Sequence, residues 1–184
     1  MKGLMQPADR EPMSLGDDGM RRAAHCLWCG AQLVVRHVHG SDRLACTACT
    51  FVLYRSPAAA VATAVLRGRE VLLVQRAIDP YRGMWGFPAG YQEYDESPEQ
   101  AAIRETREEA GVEVELRGVL EVCYTSDDPR KRANLVVYRA VPVAGEPCGA
   151  DDACDAQYFS LDALPEAIAF ANNQRLLERL RRET

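Results

Sequence analysis

The chain has 184 residues, of which 47% are hydrophobic and 27% are charged, and its formal net charge at pH 7 is −5. This is the composition of a soluble globular protein, and the length suits one domain of about 130 residues with a small appendage. The longest apolar run, residues 58–66, has the length of a strand, so the sequence predicts no membrane-spanning segment.

The first 20 residues contain prolines, glycines and charges of both signs around no apolar core. This composition differs from that of a secretory signal or a transit peptide, so we predict a disordered leader over residues 1–20. A chain without a targeting segment is expected in the cytoplasm.

Four of the seven cysteines form two Cys-x-x-Cys pairs, which enclose sixteen residues. This spacing is typical of a zinc site with four thiolate ligands, and such a closed site is structural because it leaves no open position. Disulfides are the alternative, but nothing marks the chain as secreted. We therefore predict a zinc ribbon over residues 21–56 that binds structural Zn²⁺ through Cys26, Cys29, Cys46 and Cys49.

The ribbon carries five arginines and a single acidic residue, Asp42. With zinc and four thiolates its charge is about +2, which permits contact with nucleic acid. The ribbon is short and has few aromatic residues, and the whole chain is acidic. These features favour a scaffold or dimerisation role, so a homodimer stays open and nucleic-acid binding is the weaker alternative.

Beyond Pro57 the hydrophobic pattern predicts strands and helices that form one domain over residues 57–184. The turn Arg67-Gly68-Arg69 is expected to join the first two strands in a hairpin. A C-terminal helical segment is predicted to begin at residues 161–165. The predicted strands are residues 58–66, 71–75, 112–116, 119–124, 135–143 and 156–160. This order indicates an α/β fold in which a mixed sheet lies between helices.

A further helix is predicted between Ser97 and Gly111. Ser97 is placed as its N-cap, Pro98 at its first position, Gln100 where it closes a capping box, and Gly111 as its C-cap.

Glu105, Glu108 and Glu109 follow the spacing i, i+3 and i+4 on this helix, so three carboxylates share one face. Like charges this close destabilise an isolated helix, and a hard divalent cation such as Mg²⁺ or Mn²⁺ would explain them. A solvated, glutamate-rich face is the alternative.

The stretch from Gly90 to Val112 reads GYQEYDESPEQAAIRETREEAGV. It resembles the signature of the Nudix hydrolases, Gly-x5-Glu-x7-Arg-Glu-U-x-Glu-Glu-x-Gly-U, in which U is usually a bulky aliphatic residue. All seven fixed identities are present, and Thr106 alone departs from the aliphatic preference. The resemblance implies a Nudix-type α/β/α sandwich with a mixed sheet, preceded here by the zinc ribbon.

The ribbon followed by Tyr54-x-x-Pro57 resembles the N-terminal module of a zinc-ribbon Nudix subgroup that includes a plant FAD/ADP-ribose pyrophosphatase. With a similar C-terminal segment, the resemblance covers about residues 25–180. The Ser-Gln-Pro-Trp-Pro-Phe-Pro segment of zinc-ribbon NADH pyrophosphatases is absent, which argues against a dedicated NADH enzyme. Pro129 stands near a proline found in many ADP-ribose pyrophosphatases, although a turn proline is an equal alternative.

The resemblance implies a metal-dependent pyrophosphohydrolase that acts on a nucleotide-derived small molecule. ADP-ribose or FAD is the expected substrate, with AMP and a second phosphorylated compound as products. Glu105 and Glu109 are the first expected ligands of Mg²⁺ or Mn²⁺, followed by Glu108 and a backbone carbonyl at Ala89 or Gly90. Arg104 and Glu96 are expected to form a buried ion pair that orients the helix, with a plain surface salt bridge as the weaker alternative.

Two residues are candidates for the general base. Asp152 matches a glutamate of the subgroup in position but is one methylene shorter, and the alternative for it is a solvated acidic turn. Glu105 is the other candidate base. Trp85, Phe87 and Tyr91 are candidates for stacking on a base or flavin, with core packing as the alternative.

Other functions stay open. The chain could be an ADP-ribose-sensing regulator without catalysis, but a sensor would not need the intact carboxylates. A hydrolase of NADH or of oxidised nucleoside triphosphates is the third alternative.

Overall fold

The computed structural model describes residues 24–127 and 131–183. The predicted leader, residues 1–20, and Pro129 lie outside these residues. The described chain divides between Ser56 and Pro57 into two compact units. Within the described ranges, no helix is long and apolar enough to cross a membrane.

The first unit is a small antiparallel sheet of three strands in the order β1-β2-β3. These strands are β1 (Leu33–Val38), β2 (Ser41–Cys46) and β3 (Val52–Leu53). The buried residues of the unit are Cys26, Leu33 and Cys46, with Phe51 packed against them. So small an apolar core contributes little stability, and a bound metal would supply much of what the unit needs.

The second unit has seven strands and two helices, and its main sheet has the strand order β10-β5-β4-β9-β8. The elements are β4 (Ala58–Arg67), β5 (Glu70–Arg76), β6 (Trp85–Gly86), β7 (Ala89–Tyr91), α1 (Pro98–Ala110), β8 (Glu113–Thr125), β9 (Ala133–Ala144), β10 (Ala153–Ser160) and α2 (Ala171–Glu183). Strands β4 and β9 are parallel and the other neighbours are antiparallel, so the prediction of a mixed sheet is confirmed. The hairpin at Gly68 is also confirmed.

Both faces of β4 are buried, because successive side chains of a strand point to opposite faces. Ala60, Ala62 and Ala64 lie in the cluster that contains the buried leucines of α2. Val61 and Val65 lie on the other face, in clusters that contain the buried alanines of α1. One helix therefore covers each face, and the α/β/α sandwich is confirmed.

The predicted start of the C-terminal helix is wrong, because α2 begins at Ala171 and not near Leu161. The intervening segment contains Pro165, which cannot donate within a helix. The backbone of this segment instead bonds to β6. The Trp85 N–H donates to the Ala167 carbonyl at 2.8 Å, and the Ala169 N–H donates to the Trp85 carbonyl at 2.7 Å. Residues 113–125 form one strand where two were predicted, with register shifts near Gly118.

Thr106, the departure from the aliphatic preference, is fully buried between α1 and β4. Its hydroxyl donates to the Ala102 carbonyl at 2.7 Å, so that its oxygen is left to accept from the Thr63 hydroxyl at 2.6 Å. The pair gives α1 a specific polar contact with the central strand.

We expect Thr106→Val to lower the free energy of unfolding by about 1–3 kcal/mol, because the buried Thr63 hydroxyl loses its acceptor. The double variant Thr63→Val, Thr106→Val should recover most of this loss, since both partners are then apolar and of the same shape. Urea unfolding of the two single variants and the double variant measures the coupling. Additive losses would contradict the predicted bond.

Candidate active site

Helix α1 begins and ends where the sequence predicts. Ser97 Oγ accepts from the Gln100 N–H at 3.3 Å, and Gln100 Oε1 accepts from the Ser97 N–H at 2.8 Å, which completes the capping box. Gly111 ends the helix with φ of 68° and donates its N–H to the Arg107 carbonyl. These caps fix the position of the helix along its axis and so set where its carboxylates lie.

Glu109 is the most buried carboxylate of the cluster, with 6% of its surface exposed. Its Oε2 accepts a hydrogen bond from the Ala89 N–H in β7 at 2.9 Å. Glu105 lies over Gly90, where a Cβ atom would come within 2.1 Å of the Glu105 carboxyl carbon. Gly90 is therefore required for the approach of α1 to β7.

The strand alternation of β7 distinguishes the two candidate carbonyls. The Thr63 N–H donates to the Pro88 carbonyl, and the Gln92 N–H donates to the Ala59 carbonyl. Every second residue of this segment therefore bonds to β4 through its backbone, and Gly90, which lies opposite Val61, is one of them. Ala89 and Tyr91 turn their polar groups the other way: Ala89 donates to Glu109, and the Tyr91 carbonyl accepts from Arg104. The geometry thus favours the Ala89 carbonyl as a metal ligand, while Gly90 provides space.

Arg104 joins the acidic residues of the site. Its guanidinium donates to Glu96 at 2.5 and 3.0 Å, and to Glu105 and Glu108 at 2.9 Å each. Hydrogen bonds from Arg104 hold the pKa of the Glu96 carboxyl well below its usual range, at about 2. The Arg104 and Glu96 side chains are 24% and 14% exposed. The pair is partly buried and ties the loop before α1 to the carboxylate face.

The cluster holds more negative charge than its surroundings balance. Burial, with added repulsion from Glu105 and Asp152, raises the pKa of the Glu109 carboxyl to about 8. Burial also raises the pKa of Glu105, with Glu108 and Asp151 adding to the effect. A divalent cation would supply the missing positive charge, and carboxylate and carbonyl oxygens are the ligands that Mg²⁺ and Mn²⁺ prefer. The residues present therefore fit such an ion.

Asp152 lies in the turn before β10, near the same cluster. Its carbonyl accepts from the Ala77 N–H at 2.8 Å, and the Ala150 N–H donates to the Glu109 carbonyl at 3.2 Å. The negative charge of Asp152 helps to raise the pKa of the Glu109 carboxyl. The structure thus brings the predicted loop carboxylate to the predicted helix carboxylates.

The three aromatic candidates lie in different environments. Trp85 and Phe87 are 9% and 3% exposed and belong to the core cluster on the α2 face. The Trp85 ring meets that of Phe159 edge-on, with centroids 4.8 Å apart. Their burial favours the packing role, whereas Tyr91 is 41% exposed at the end of β7.

Arg76 is not among the predicted site residues, yet its positive charge acts on Glu109 and lowers the pKa of that carboxyl against the effect of burial. Asp151, with φ of 52°, was also not assigned a role. The position of Arg76 directly after the apolar run of β5 could have marked it as a site residue. The sequence does not show which end of a strand faces the helix, because that depends on the tertiary structure.

The NUDIX domain family matches residues 56–180, which is more than half of the chain. This chain belongs to the Nudix family. The ADP-ribose pyrophosphatase of Methanocaldococcus jannaschii is 32% identical to it over 130 residues, which are 70% of this chain and 76% of that protein. The NAD-capped RNA hydrolase NudC of Pseudomonas aeruginosa is 35% identical over 145 residues, which are 78% of this chain but 51% of NudC. The chain thus spans about half the length of that relative.

Solved structures give the same assignment. A NUDIX hydrolase from Nitrosomonas europaea superposes with a TM-score of 0.79 at 31% identity, over 86% of this chain and 90% of that one. A bifunctional NMN adenylyltransferase/ADP ribose pyrophosphatase from Francisella tularensis, complexed with AMP and a Mn ion, superposes with a TM-score of 0.59 at 26% identity, over 71% of this chain and 42% of that one. The chain is accordingly a hydrolase of phosphorus-containing anhydrides.

This Nudix chain also holds the predicted thiolate cluster in its first unit. The ligand atoms of Cys26, Cys29, Cys46 and Cys49 all lie within 4.8 Å of one another. Three of the Sγ–Sγ distances are 3.5–3.6 Å. A tetrahedron with Zn–S bonds of about 2.3 Å has edges of about 3.8 Å, so the cluster has nearly the size of a zinc site. Hydrogen bonds, first from the Ala48 N–H, lower the pKa of the Cys46 thiol to about 6. Against a backbone hydrogen bond from Phe51, burial and the neighbouring thiols raise the pKa of Cys49 to about 12, so the metal-free cluster holds protons that a zinc ion would displace.

We predict one zinc ion per chain, lost in Cys46→Ser, because three thiolates cannot close the tetrahedron. Elemental analysis should show the loss, and hydrogen exchange should show unfolding over residues 24–56. Cys148→Ser, at an exposed cysteine outside the cluster, is the control and should keep its zinc. Zinc-free wild type with four freely alkylated thiols would contradict the assignment.

The raised pKa of Glu109 predicts a pH dependence of stability in the presence of a chelator. In the unfolded chain this carboxyl ionises near its ordinary pKa of 4.5, whereas in the folded chain it keeps its proton up to about 8. The folded state therefore holds more protons, and the free energy of unfolding should fall as the pH rises from about 4.5 to about 8.

Glu109→Gln should remove most of this fall and stabilise the metal-free protein at pH 8 by about 1 kcal/mol or more. Thermal unfolding in EDTA at a series of pH values measures the effect. Glu178→Gln, on the exposed face of α2, is the matched control. A Glu109→Gln profile that parallels the wild type would remove the basis for a buried, protonated carboxyl.

Proposed function

We propose that this Nudix hydrolase is a divalent-metal-dependent pyrophosphohydrolase that cleaves the diphosphate of a nucleoside diphosphate derivative. ADP-ribose or FAD is the substrate, and AMP and a second phosphorylated compound are the products. The observation that carries the proposal is the buried carboxylate of Glu109 together with the partly buried one of Glu105, packed against Ala89 and Gly90 of β7. The relative named an ADP-ribose pyrophosphatase supports the substrate, since this chain covers 76% of its length.

In this proposal Glu105, Glu109 and the Ala89 carbonyl hold the ion, with Glu108 as a further ligand at the exposed end of the cluster. The bound Mg²⁺ or Mn²⁺ would neutralise the diphosphate and activate the attacking water. Arg104 and Glu96 hold the loop and helix in register. A water oxygen bonds to one phosphorus, the bridging P–O bond breaks, and a carboxylate takes the water proton.

Two carboxylates are placed to take that proton. Glu105 lies on the helix, and burial raises the pKa of its carboxyl, which suits a general base. A carboxylate that binds the metal ion is less free to accept a proton, so the ligand role of Glu105 competes with this function. Asp152 stands in the loop beside Glu109 and is not needed for the ligand set. We therefore assign Asp152 as the general base and Glu105 as a ligand.

A second candidate is hydrolysis of NADH or of the NAD cap of RNA. It is favoured by the 35% identity to NudC, but the chain spans about half of that protein. A panel of substrates assayed with and without Mg²⁺ distinguishes these functions. The panel contains ADP-ribose, FAD, NADH, NAD-capped RNA, diadenosine polyphosphates and oxidised dGTP. A sensor without catalysis would bind ADP-ribose and release no product from any of them.

Glu109→Gln should lower kcat by about a hundredfold or more, since a neutral amide is a poor ligand for Mg²⁺ and the transition state loses charge stabilisation. Steady-state hydrolysis of the best substrate of the panel measures it, with Glu178→Gln as control. Activity within twofold of the wild type would remove Glu109 from the site.

Asp152→Asn should lower kcat with little change in KM, the pattern of an interaction lost in the transition state. The control Asp155→Asn changes a nearby exposed carboxylate in β10 and should keep wild-type kinetics. If Asp152→Asn changes neither kcat nor KM while Glu105→Gln is inactive, the general base belongs to the helix.

A further inference from the structure

Asn173 is a buried polar residue whose side chain makes no hydrogen bond within residues 24–127 and 131–183. It lies in the first turn of α2 and is 5% exposed. The other buried polar residues of the described chain have partners: Thr63 and Thr106 bond to each other, and Glu109 accepts from Ala89. A buried amide without partners costs about 1–3 kcal/mol, so a function is expected for it.

The surroundings of Asn173 place this amide beside the strand that leads to the carboxylates. A Cβ atom at Gly86 would lie 2.7 Å from Asn173 Nδ2, so the glycine allows the amide to approach β6. From Gly86 the chain runs through two residues to Ala89, whose N–H holds Glu109. A ligand whose diphosphate lies at Glu109 could therefore extend toward Asn173.

Two strained aromatic residues lie at the start of α2 and next to Arg76. Tyr81 and Phe170 both have positive φ, 67° and 60°, and their rings meet edge-on with centroids 4.8 Å apart. Non-glycine residues in this region cost about 1–3 kcal/mol and cluster at ligand sites. The Arg76 guanidinium lies 5.0 Å from the centroid of the Phe170 ring, and its charge also acts on Glu109. Phe170 directly precedes α2, one turn before Asn173.

We propose that Asn173 recognises the adenine of the substrate, with the Tyr81 and Phe170 rings as the aromatic surface beside the base. This inference rests on the proposed function, which places an adenosine diphosphate derivative at the carboxylates. An amide matches one edge of adenine at two points, because its oxygen accepts from the N6 amino group and its nitrogen donates to N7. Guanine offers two acceptors at that edge, so only one of these contacts can form.

The test is binding of AMP, GMP and ribose 5-phosphate to the full chain, measured by isothermal titration. We expect wild type to bind AMP about tenfold or more tighter than GMP, because the amide is left half-paired by guanine. Asn173→Leu should lose this preference and leave the affinity for ribose 5-phosphate unchanged. Asn172→Leu, at the neighbouring half-buried residue, is the matched control and should keep the preference.

The melting temperature separates recognition from a structural role. Asn173→Leu should melt at or above the wild-type temperature, since leucine of similar volume replaces an amide that has no partner in the described part of the chain. A structural asparagine would instead lose stability on this change. Gly86→Ala is a second variant, because its Cβ would displace the Asn173 amide, and it should also reduce the preference for AMP.

The inference is overturned if wild type binds AMP and GMP equally, or if Asn173→Leu binds AMP as tightly as wild type. It is also overturned if ADP-ribose is hydrolysed with the same kcat/KM by wild type and Asn173→Leu, and the proposed function then stands alone. If AMP binding depends on Asn173 but no substrate of the panel is hydrolysed, the adenine site stands and the proposed function fails.

Discussion

The hydrogen bond from the Ala89 N–H to the buried carboxylate of Glu109 joins α1 to β7, and the geometry of the candidate site depends on it. Burial with Glu105 nearby raises the pKa of Glu109 to about 8, so near neutral pH the metal-free site holds a proton that an ion would displace. The desolvation that weakens the metal-free fold also strengthens the attraction of a cation, because both effects come from a low local dielectric.

This contact is possible because other features hold α1 against the sheet. Gly90 removes the Cβ atom that would meet Glu105, and the Thr63–Thr106 hydroxyl pair joins the helix to the central strand. The capping box at Ser97 sets where the helix begins. A shift of one residue along α1 would turn its carboxylates by about 100° around the helix axis, away from β7. Specific packing and local capping are thus both needed for the site.

Asn173, which has no hydrogen-bond partner among the described residues, and Glu109, whose pKa burial raises, are two buried polar groups that we expect to reduce the stability of the metal-free, ligand-free protein. They lie beside consecutive parts of one segment, Gly86 in β6 and Ala89 in β7. Stability given up at such positions is the usual consequence of a preorganised binding site. The first unit differs, because its small core contains two of the four clustered cysteines, so that its fold and a bound metal depend on each other.

The sequence by itself determined α1 with its caps, the carboxylate spacing, the thiolate pairs and the long strands β4, β5, β9 and β10, because these follow from contacts between near neighbours or from fixed periodicities. Tertiary structure alone decided that the Ala89 N–H bonds to Glu109 and that α2 begins at Ala171. It also decided that Thr106 bonds to Thr63, 43 residues away, and that Asn173 has no partner among the described residues. Each of these depends on which distant backbone lies opposite, and the pairing of distant segments has no local signal.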